Sequence, residues 1–180
     1  EYFELPKVAR DVEKAKALLT EAGQLDFEHE LISSDEDWHK NTGDAIAAQL
    51  REAGIKVKRT VMPGSTIWND WTKYPNSLTN WTMRPLGVQV LALAYRTGEA
   101  GNETGFSDAE FDKKLGEALA INDPAKRKEV MKDCEQIIQD AGIIIQPYWR
   151  KVYNHHVEAV QGYVQHPMQQ LRLDKDWLKA

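Results

Sequence analysis

Apolar residues in the first seventy positions follow two alternating spacings, one typical of helices and one typical of strands. Between Asp11 and Gly23 they recur every three or four positions, which predicts a helix that Asp11 caps and Gly23 ends. Alternation over residues 27–33 predicts a strand. The pattern continues with a second helix from Asp35 or Asp37 to Gly54, a second strand over residues 55–62 and a short helix after Pro63-Gly64.

This alternation of helices and strands predicts an α/β fold. A helix between two strands serves as a crossover, so the strands pair in parallel and helices cover the sheet. We therefore expect a mixed sheet flanked by helices. The apolar stripes expected to pack on the sheet are Val12, Ala15, Leu18, Leu19 and Ala22 in the first helix, and Trp38, Ala45, Ile46, Leu50 and Ala53 in the second.

Residues 74–105 interrupt this pattern, because glycine, proline and aromatic residues are mixed there without a period. Residues 78–83 are compatible with a strand, and the apolar run over residues 86–95 fits either a strand or a helix. Long irregular segments inside a compact domain usually carry function. We therefore look for a binding site in this region.

Helical spacing returns after residue 105. Asp108 is the predicted cap of one helix, with Phe111, Leu115, Ala118 and Leu119 facing inward. Asp123-Pro124 is the predicted start of another, which Gly142 ends. We expect a buried strand over residues 143–150, extended structure over residues 152–164, and a turn or short helix over residues 174–180.

Composition and charge exclude several classes of function. The 180 residues include 28 acidic and 23 basic ones, and a net charge of −5 argues against nucleic-acid binding. The single cysteine, Cys134, rules out an internal disulfide and a four-cysteine zinc site, and it is expected to be a small buried apolar residue. No apolar run is long enough to cross a bilayer. Because the chain begins with Glu1, we expect a fragment or processed product.

Catalytic, metal and cofactor motifs are not found in the sequence. It contains no G-x-S-x-G elbow, H-E-x-x-H motif, phosphate loop or dinucleotide fingerprint. The histidines have no spacing that suits a shared metal ion, and we expect no metal site and no cofactor; they are His29, His39, His155, His156 and His166.

Four segments, in order along the chain, resemble the family 5 extracellular solute-binding proteins, the dipeptide-, oligopeptide-, nickel- and opine-binding components of ABC importers. Residues 11–23 resemble the family's D-x-x-K-A-K-x-L-L-x-E-A-G helix, and residues 47–57 resemble its A-x-x-L-x-x-x-G-I-x-V unit. Residues 105–112 are similar to G-Y-S-N-x-x-F-D, and residues 122–138 to D-x-x-x-R-x-x-x-x-x-x-x-Q-x-I-L.

The resemblance implies one lobe of a two-lobed, periplasmic-binding-protein-like fold that encloses its ligand between the lobes. Residues 1–150 would form the C-terminal ligand-binding lobe, and residues 151–180 would return towards the hinge and the N-terminal lobe, which is missing here. It also implies a periplasmic or lipid-anchored extracytoplasmic location, an ABC permease as partner and no enzymatic activity. A lone lobe exposes a docking surface, so self-association of the fragment is expected.

Arg84 is the principal candidate ligand contact. Peptide binders of the family carry a Gly-Trp-x-x-Asp segment whose Asp pairs with the peptide's amino terminus. When the segments are aligned on Trp81, that position is Arg84. A guanidinium suits a carboxylate or phosphate, so we expect an acid-bearing solute such as an opine, a sugar acid or a peptide-like conjugate. The alternative is that Arg84 pairs with Glu99 or Glu103 within the chain.

The other candidate ligand contacts are aromatic and neutral polar residues near Arg84. Tryptophan and tyrosine offer flat apolar faces with a polar edge, which suit small amphiphilic ligands. Trp81 is favoured because it lies outside any helical period, whereas Trp68 and Trp71 also fit a packing role. The full candidate set is Arg84, Trp81, Asn80, Tyr95, Trp68 and Asn102.

Three other functions stay open on the sequence alone. One is an ordinary dipeptide or oligopeptide binder of the same class. Another is a standalone α/β hydrolase with its site in residues 74–105, although no nucleophile–base pair is evident. The third is a protein-interaction domain whose aromatic loop docks a partner chain.

Overall fold

The computed structural model describes residues 2–166, 168 and 170–179. It consists of a strand–helix–strand unit followed by three packed helices and a long, irregular C-terminal segment. Its elements are α1 (Val12–Glu21), β1 (His29–Ser34), α2 (Asp37–Glu52), β2 (Val57–Met62), α3 (Gly64–Ile67), α4 (Gly87–Ala94), α5 (Ala109–Ala120), α6 (Pro124–Ala141), β3 (Val160–Gln161), a 3-10 helix (Leu173–Lys175) and β4 (Trp177–Leu178).

Strands β1 and β2 form a parallel pair, with α2 as the crossover between them. Leu31 of β1 and Val57 of β2 are buried with Ala47 of α2 in one small apolar cluster. The predicted strand–helix–strand order and the parallel pairing are therefore confirmed.

The inward face of α2 differs from the predicted stripe. His39 and Gly43 are buried, whereas Ala45 is exposed and Trp38 is only half-buried. Gly43 faces inward because the Arg59 side chain lies directly against it, and a Cβ at this position would come within 2.4 Å of the guanidinium. The predicted stripe is right at Ala53, which is buried, and at Ile46 and Leu50, which pack on the small apolar cluster, but it is wrong at Ala45 and it omits His39 and Gly43.

Arg59 ties β1, β2 and α2 together. Its side chain is only 10% exposed, and its Nε forms an ion pair of 3.0 Å with Asp44 on α2. Its Nη1 donates to the Leu31 carbonyl at 3.2 Å, and its Nη2 donates to Ser33 Oγ at 2.5 Å. One largely buried guanidinium thus connects Leu31 and Ser33 of β1 to Asp44 of α2.

Residues 76–78 extend the sheet on the other side of β1. The Ile32 N–H donates to the Asn76 carbonyl at 3.1 Å, and the Leu78 N–H donates to the Ile32 carbonyl at 2.8 Å, in a parallel bridge. The strand predicted for residues 78–83 is otherwise not formed. Because the bridge is parallel, residues 79–81 continue towards the edge of the sheet where β1 and β2 end.

Helices α4, α5 and α6 enclose the larger apolar core. The apolar run at residues 86–95, which fitted either a strand or a helix, forms α4. Asp108 and Asp123 cap α5 and α6 as predicted, each accepting backbone N–H bonds in the first turn. The fully or largely buried residues of this core are Val88, Leu91, Ala94, Tyr95, Phe111, Leu115, Ala118, Met131, Cys134 and Ile138.

Two predicted apolar stripes are less buried than expected. Leu119 of α5 is 42% exposed, although Phe111, Leu115 and Ala118 on the same helix are buried. Helix α1 has no buried residue, and its Leu18 is 55% exposed. Helical spacing therefore located these helices but overstated how far their apolar faces are covered.

The buried strand predicted for residues 143–150 is wrong. No strand forms there, Ile145 is 83% exposed and Trp149 is 71% exposed. The segment is held by isolated contacts, including a 2.7 Å hydrogen bond between the Tyr148 and Thr42 hydroxyls. Apolar composition alone suggested a strand, but the described part of the chain supplies no neighbouring strand for its backbone.

The C-terminal segment contains little regular structure. Within the described residues of this segment, Val160–Gln161 pairs in antiparallel fashion with Trp177–Leu178, and no other strand is formed over residues 152–164. The turn or short helix expected over residues 174–180 corresponds to the 3-10 helix and β4, and Ala180 lies outside the described residues.

The helical core predicts unequal effects for two leucines of α5. Leu115 is completely buried and Leu119 is 42% exposed. We expect Leu115→Ala to lower the free energy of unfolding by about 2–5 kcal/mol, because it leaves a cavity. Leu119→Ala should cost less than about 1 kcal/mol. Urea unfolding followed by circular dichroism measures both, and equal losses in the two variants would contradict this packing.

Candidate ligand-binding site

Three tryptophans and Asn80 line an open, mainly apolar pocket of about 210 Å³; the tryptophans are Trp68, Trp71 and Trp81. Trp68 follows α3, which begins directly after β2, and Trp81 follows the segment that pairs with β1. They meet because both segments lead to the edge where the parallel strands end. Ligands of open α/β sheets commonly bind at this edge.

Trp81 is fixed on two sides. Its ring lies edge-on to Trp71, with centroids 5.8 Å apart and planes at 72°. Its Nε1 donates to Glu103 Oε1 at 3.2 Å, so the indole N–H has a partner inside the protein. Trp81 also packs against the core of α4, α5 and α6. Contacts within the protein therefore fix the orientation of the Trp81 ring.

His39 supports the wall of the pocket behind Trp68. The imidazole is completely buried, with ring centroids 3.8 Å from Trp38 and 5.5 Å from Trp68. Its Nδ1 shares a 2.6 Å hydrogen bond with Ser34 Oγ, whereas its buried Nε2 has no hydrogen-bond partner within the described residues. Burial, reinforced by the charge of Arg150 and opposed by Glu36, lowers the pKa of His39.

Arg84 lies on the segment that follows Trp81, and its described hydrogen bonds go to neutral oxygens. Its Nη1 donates to Thr82 Oγ1 at 2.6 Å, to the Thr82 carbonyl at 3.0 Å and to the Met83 carbonyl at 3.4 Å. Among the residues that the structure describes, no carboxylate forms an ion pair with it.

The two carboxylates considered as alternative partners of Arg84 are engaged elsewhere. Glu99 lies 3.8 Å from Arg96, and Glu103 accepts hydrogen bonds from Thr79 and Trp81. Arg84 is a half-buried residue. Its guanidinium can therefore pair with an anion from outside the described chain.

Three of the six candidate residues, Arg84, Tyr95 and Asn102, are not among the residues that line the pocket. Tyr95 is 5% exposed and belongs to the core of α4, α5 and α6, where burial raises its pKa. The Asn102 amide donates to the carbonyls of Arg96 and Phe106 at 3.1 and 2.7 Å, and so holds its own loop together. We therefore leave Tyr95 and Asn102 out of the site proposed below.

The structure adds Trp71 to the pocket lining and shows that Glu103, outside the lining, contacts Trp81. Trp71 was assigned mainly to packing because it fits a helical stripe. In the structure α3 ends at Ile67, before Trp71, and the Trp71 ring lines the pocket. Glu103 was considered only as a partner for Arg84. No local pattern pairs Glu103 with Trp81, since they are 22 positions apart and meet only in the folded chain.

A second open pocket, of about 660 Å³, lies between α2 and residues 147–148. It is lined by exposed side chains of the helix and by Pro147 and Tyr148. In the described part of the chain, no group of three histidine, cysteine or acidic side chains is placed to hold a metal ion. No described helix is long and apolar enough to cross a membrane.

The comparison with protein families decides the identity of the fold. A family model described as "Bacterial extracellular solute-binding proteins, family 5 Middle" matches residues 1–103. The chain belongs to this family. The resemblance noted in the sequence is confirmed, and so is the expected fold class: α/β, one lobe of a two-lobed periplasmic-binding-protein-like fold.

Named relatives of this family 5 chain are considerably longer than it is. The dipeptide-binding protein DppE of Bacillus subtilis is 25% identical over 141 residues, which are 77% of this chain and 26% of DppE. The di/tripeptide-binding protein 4 of Pseudomonas aeruginosa is 25% identical over 171 residues, 88% of this chain and 32% of the relative. The chain thus spans about a quarter to a third of these curated relatives.

The solved structure of the oligopeptide-binding protein AppA of Bacillus subtilis, in complex with a nonapeptide, superimposes on this family 5 chain with a TM-score of 0.76. The match covers 98% of this chain and 39% of AppA at 19% identity. At this identity the comparison establishes a shared fold, including the irregular C-terminal segment, and leaves the ligand of this chain to be argued from its own residues.

The buried imidazole predicts acid sensitivity of the unit that supports Trp68. The folded chain keeps His39 neutral, whereas the unfolded chain takes up a proton near pH 6.5. Acid therefore favours the unfolded state, and stability should fall as the pH drops below about 6.5 towards the lowered pKa of the folded state. Urea unfolding midpoints at about pH 5 to 8 should show this loss, and His39→Gln should reduce it. An identical pH profile in the variant would show that other groups cause it.

Proposed function

We propose that this chain forms the tryptophan-lined wall of the solute-binding site in the substrate-binding component of an ABC importer. The bound solute is small and carries an acidic group, which pairs with Arg84. The observation that supports this most directly is Arg84, a half-buried residue three positions after Trp81 whose described guanidinium contacts are only hydroxyl and carbonyl oxygens. The proposed contacts are Arg84, Trp81, Asn80 and Trp68, to which the pocket geometry adds Trp71.

The pocket walls suit the apolar part of such a solute. Trp68, Trp71 and Trp81 present ring faces and edges, and the exposed Asn80 supplies an amide that can donate and accept hydrogen bonds. At about 210 Å³ and open to solvent, the pocket is smaller than the roughly 300–1,000 Å³ of typical ligand sites. This size fits one wall of a site that a second lobe completes.

The relatives' names leave peptides among the solutes to be tested. DppE and di/tripeptide-binding protein 4 are named for binding dipeptides and tripeptides. A peptide carries a carboxylate at its C-terminus as well as an ammonium at its N-terminus, so Arg84 could pair with the carboxylate end. An opine, a sugar acid or a peptide-like conjugate would meet the same requirement for an anionic group. The charge of the ligand is thus the property to measure first.

Two blocked tripeptides separate these charges in one test. Ac-Ala-Ala-Ala carries only the carboxylate, and Ala-Ala-Ala-NH2 carries only the ammonium. We expect the chain to bind the anionic peptide at least about tenfold more tightly, since a charge-assisted hydrogen bond contributes about 1.5–3 kcal/mol. Titration followed by tryptophan fluorescence or calorimetry measures both affinities.

Substitution of Arg84 supplies the matched control for this titration. Arg84→Gln should remove the preference for the anionic peptide, whereas Arg10→Gln, at an exposed arginine paired with Glu52, should leave it unchanged. Tighter binding of Ala-Ala-Ala-NH2, or an unchanged preference in Arg84→Gln, would overturn the assignment of an anionic ligand.

We also propose the wider setting implied by the family. The protein works outside the cytoplasm, either in the periplasm or as a lipid-anchored protein, delivers its solute to an ABC permease, and catalyses no reaction. The family description, extracellular solute-binding proteins, supports the location. Residues 1–150 would contribute the ligand-binding lobe, and residues 151–180 would return towards an N-terminal lobe that shares the ligand.

Exposed apolar side chains support docking of residues 145–157 onto another part of the full-length protein. Ile145, Trp149, Tyr153 and Val157 are each at least 69% exposed, which is unusual for such large side chains on one short stretch. The chain also covers only 26% and 32% of its named relatives. A second lobe that covers this stretch would remove its apolar surface from water.

Self-association of the 180-residue chain provides a measurable consequence. We expect its sedimentation coefficient to rise with concentration, because exposed apolar surfaces of two chains associate when no other part of the protein covers them. Exchanging Ile145, Trp149 and Tyr153 for serine should suppress the effect, whereas Leu18→Ser on exposed α1 should not. A chain that stays monomeric at all concentrations would contradict an uncovered docking surface.

A further inference from the structure

The loop of residues 101–103 contacts Trp81 and the segment that carries it. Glu103 Oε1 accepts two hydrogen bonds from the pocket segment, one from Thr79 Oγ1 at 2.9 Å and one from Trp81 Nε1 at 3.2 Å. Both donors belong to the three-residue stretch that runs from the sheet edge into the pocket. One carboxylate oxygen therefore fixes both ends of that stretch.

Gly101 brings the loop backbone against the ring of Trp81. A Cβ at this position would lie 3.0 Å from Trp81 Cη2 and 2.6 Å from the Leu93 carbonyl oxygen. Both distances are shorter than ordinary van der Waals contact, and the carbonyl belongs to α4, which cannot shift freely. Because Gly101 has no side chain, the loop backbone can lie against the Trp81 indole and the end of α4.

Glu103 performs this role without a cation. Within the described residues no lysine, arginine or histidine forms an ion pair with it, and it is half-buried. Burial raises the pKa of its carboxyl group, opposed by the hydrogen bonds from Thr79 and Trp81. Because folding raises this pKa, the ionised Glu103 carboxylate lowers the free energy of unfolding at pH values above the ordinary pKa of a glutamate.

We propose that Glu103 is a positioning residue for the solute site: it holds the Trp81 indole N–H so that the ring stays fixed as a wall of the pocket. The proposal rests on the proposed function, since it takes the tryptophan pocket to be the solute site. Glu103 itself lines no part of the pocket. Its effect on affinity is therefore transmitted through Trp81.

Two substitutions at one position test whether the acceptor oxygen matters. Glu103→Gln keeps an oxygen that can accept from Trp81, and Glu103→Met removes it at similar length. We expect the Trp81 indole N–H to exchange with water about tenfold faster in Glu103→Met and at nearly the original rate in Glu103→Gln. Proton–nitrogen NMR measures this exchange, with the Trp81 resonance assigned from its loss in Trp81→Phe.

Affinity for Ac-Ala-Ala-Ala is the second readout. It should fall about tenfold in Glu103→Met and recover in Glu103→Gln, whereas Glu99→Gln, at the exposed acidic partner of Arg96, should leave it unchanged. If Glu103→Met unfolds the chain, Gly101→Ala should produce the same loss by displacing the ring. Unchanged indole exchange in Glu103→Met, or equal damage from methionine and glutamine, would overturn the proposal.

The two readouts keep this proposal separate from the function it builds on. If the unsubstituted chain binds neither blocked tripeptide, the anionic-solute assignment fails, and indole exchange alone then decides whether Glu103 holds Trp81. If the chain binds Ac-Ala-Ala-Ala with an affinity that no change at Glu103 alters, the proposed function stands and the positioning role is refuted.

Discussion

The path of residues 76–84 is the constraint on which the site depends. Its beginning is a parallel bridge to Ile32, and Leu78 packs with the small cluster of the strand pair. Only three residues later, Trp81 packs against the core of α4, α5 and α6. The stretch therefore joins the two apolar clusters, and the pocket forms where it passes between them.

This placement accounts for the separate roles of neighbouring side chains. Trp81 has its indole N–H satisfied by Glu103 and so offers mainly its apolar ring to a ligand. Arg84, three residues further on, contacts neutral oxygens of its own segment. The proposed amphiphilic anion would place its apolar part on the tryptophans and its acidic group on Arg84. Family membership supports a binding role, and the proposal of an acidic ligand rests on Arg84.

Local features were predictable from the sequence because they depend on neighbouring residues. The caps at Asp108 and Asp123 need only the first turn of their helices, and each accepts the expected backbone bonds. The parallel pairing of β1 and β2 followed from the crossover helix between them. Trp81 and Arg84 could be singled out because the irregular segment and its resemblance to the family motif directed attention there.

Features that depend on distant partners were not predictable in the same way. The inward position of Gly43 is explained by Arg59, 16 positions away, whose guanidinium occupies the space of a Cβ. The strand expected over residues 143–150 needs a neighbouring strand that the described chain lacks. Tyr95 was a candidate because tyrosine often contacts ligands, but it is buried in the core with residues of α5 and α6. The contact between Glu103 and Trp81 was not predicted because the two residues are far apart in sequence and meet only in the folded chain.

A structure of the chain bound to Ac-Ala-Ala-Ala would test the central claim most directly. The account predicts the peptide carboxylate within hydrogen-bond distance of the Arg84 guanidinium and at least one methyl group against the ring of Trp81. A peptide seated instead between α2 and Tyr148, or one bound in the tryptophan pocket with Arg84 turned away from its carboxylate, would contradict it.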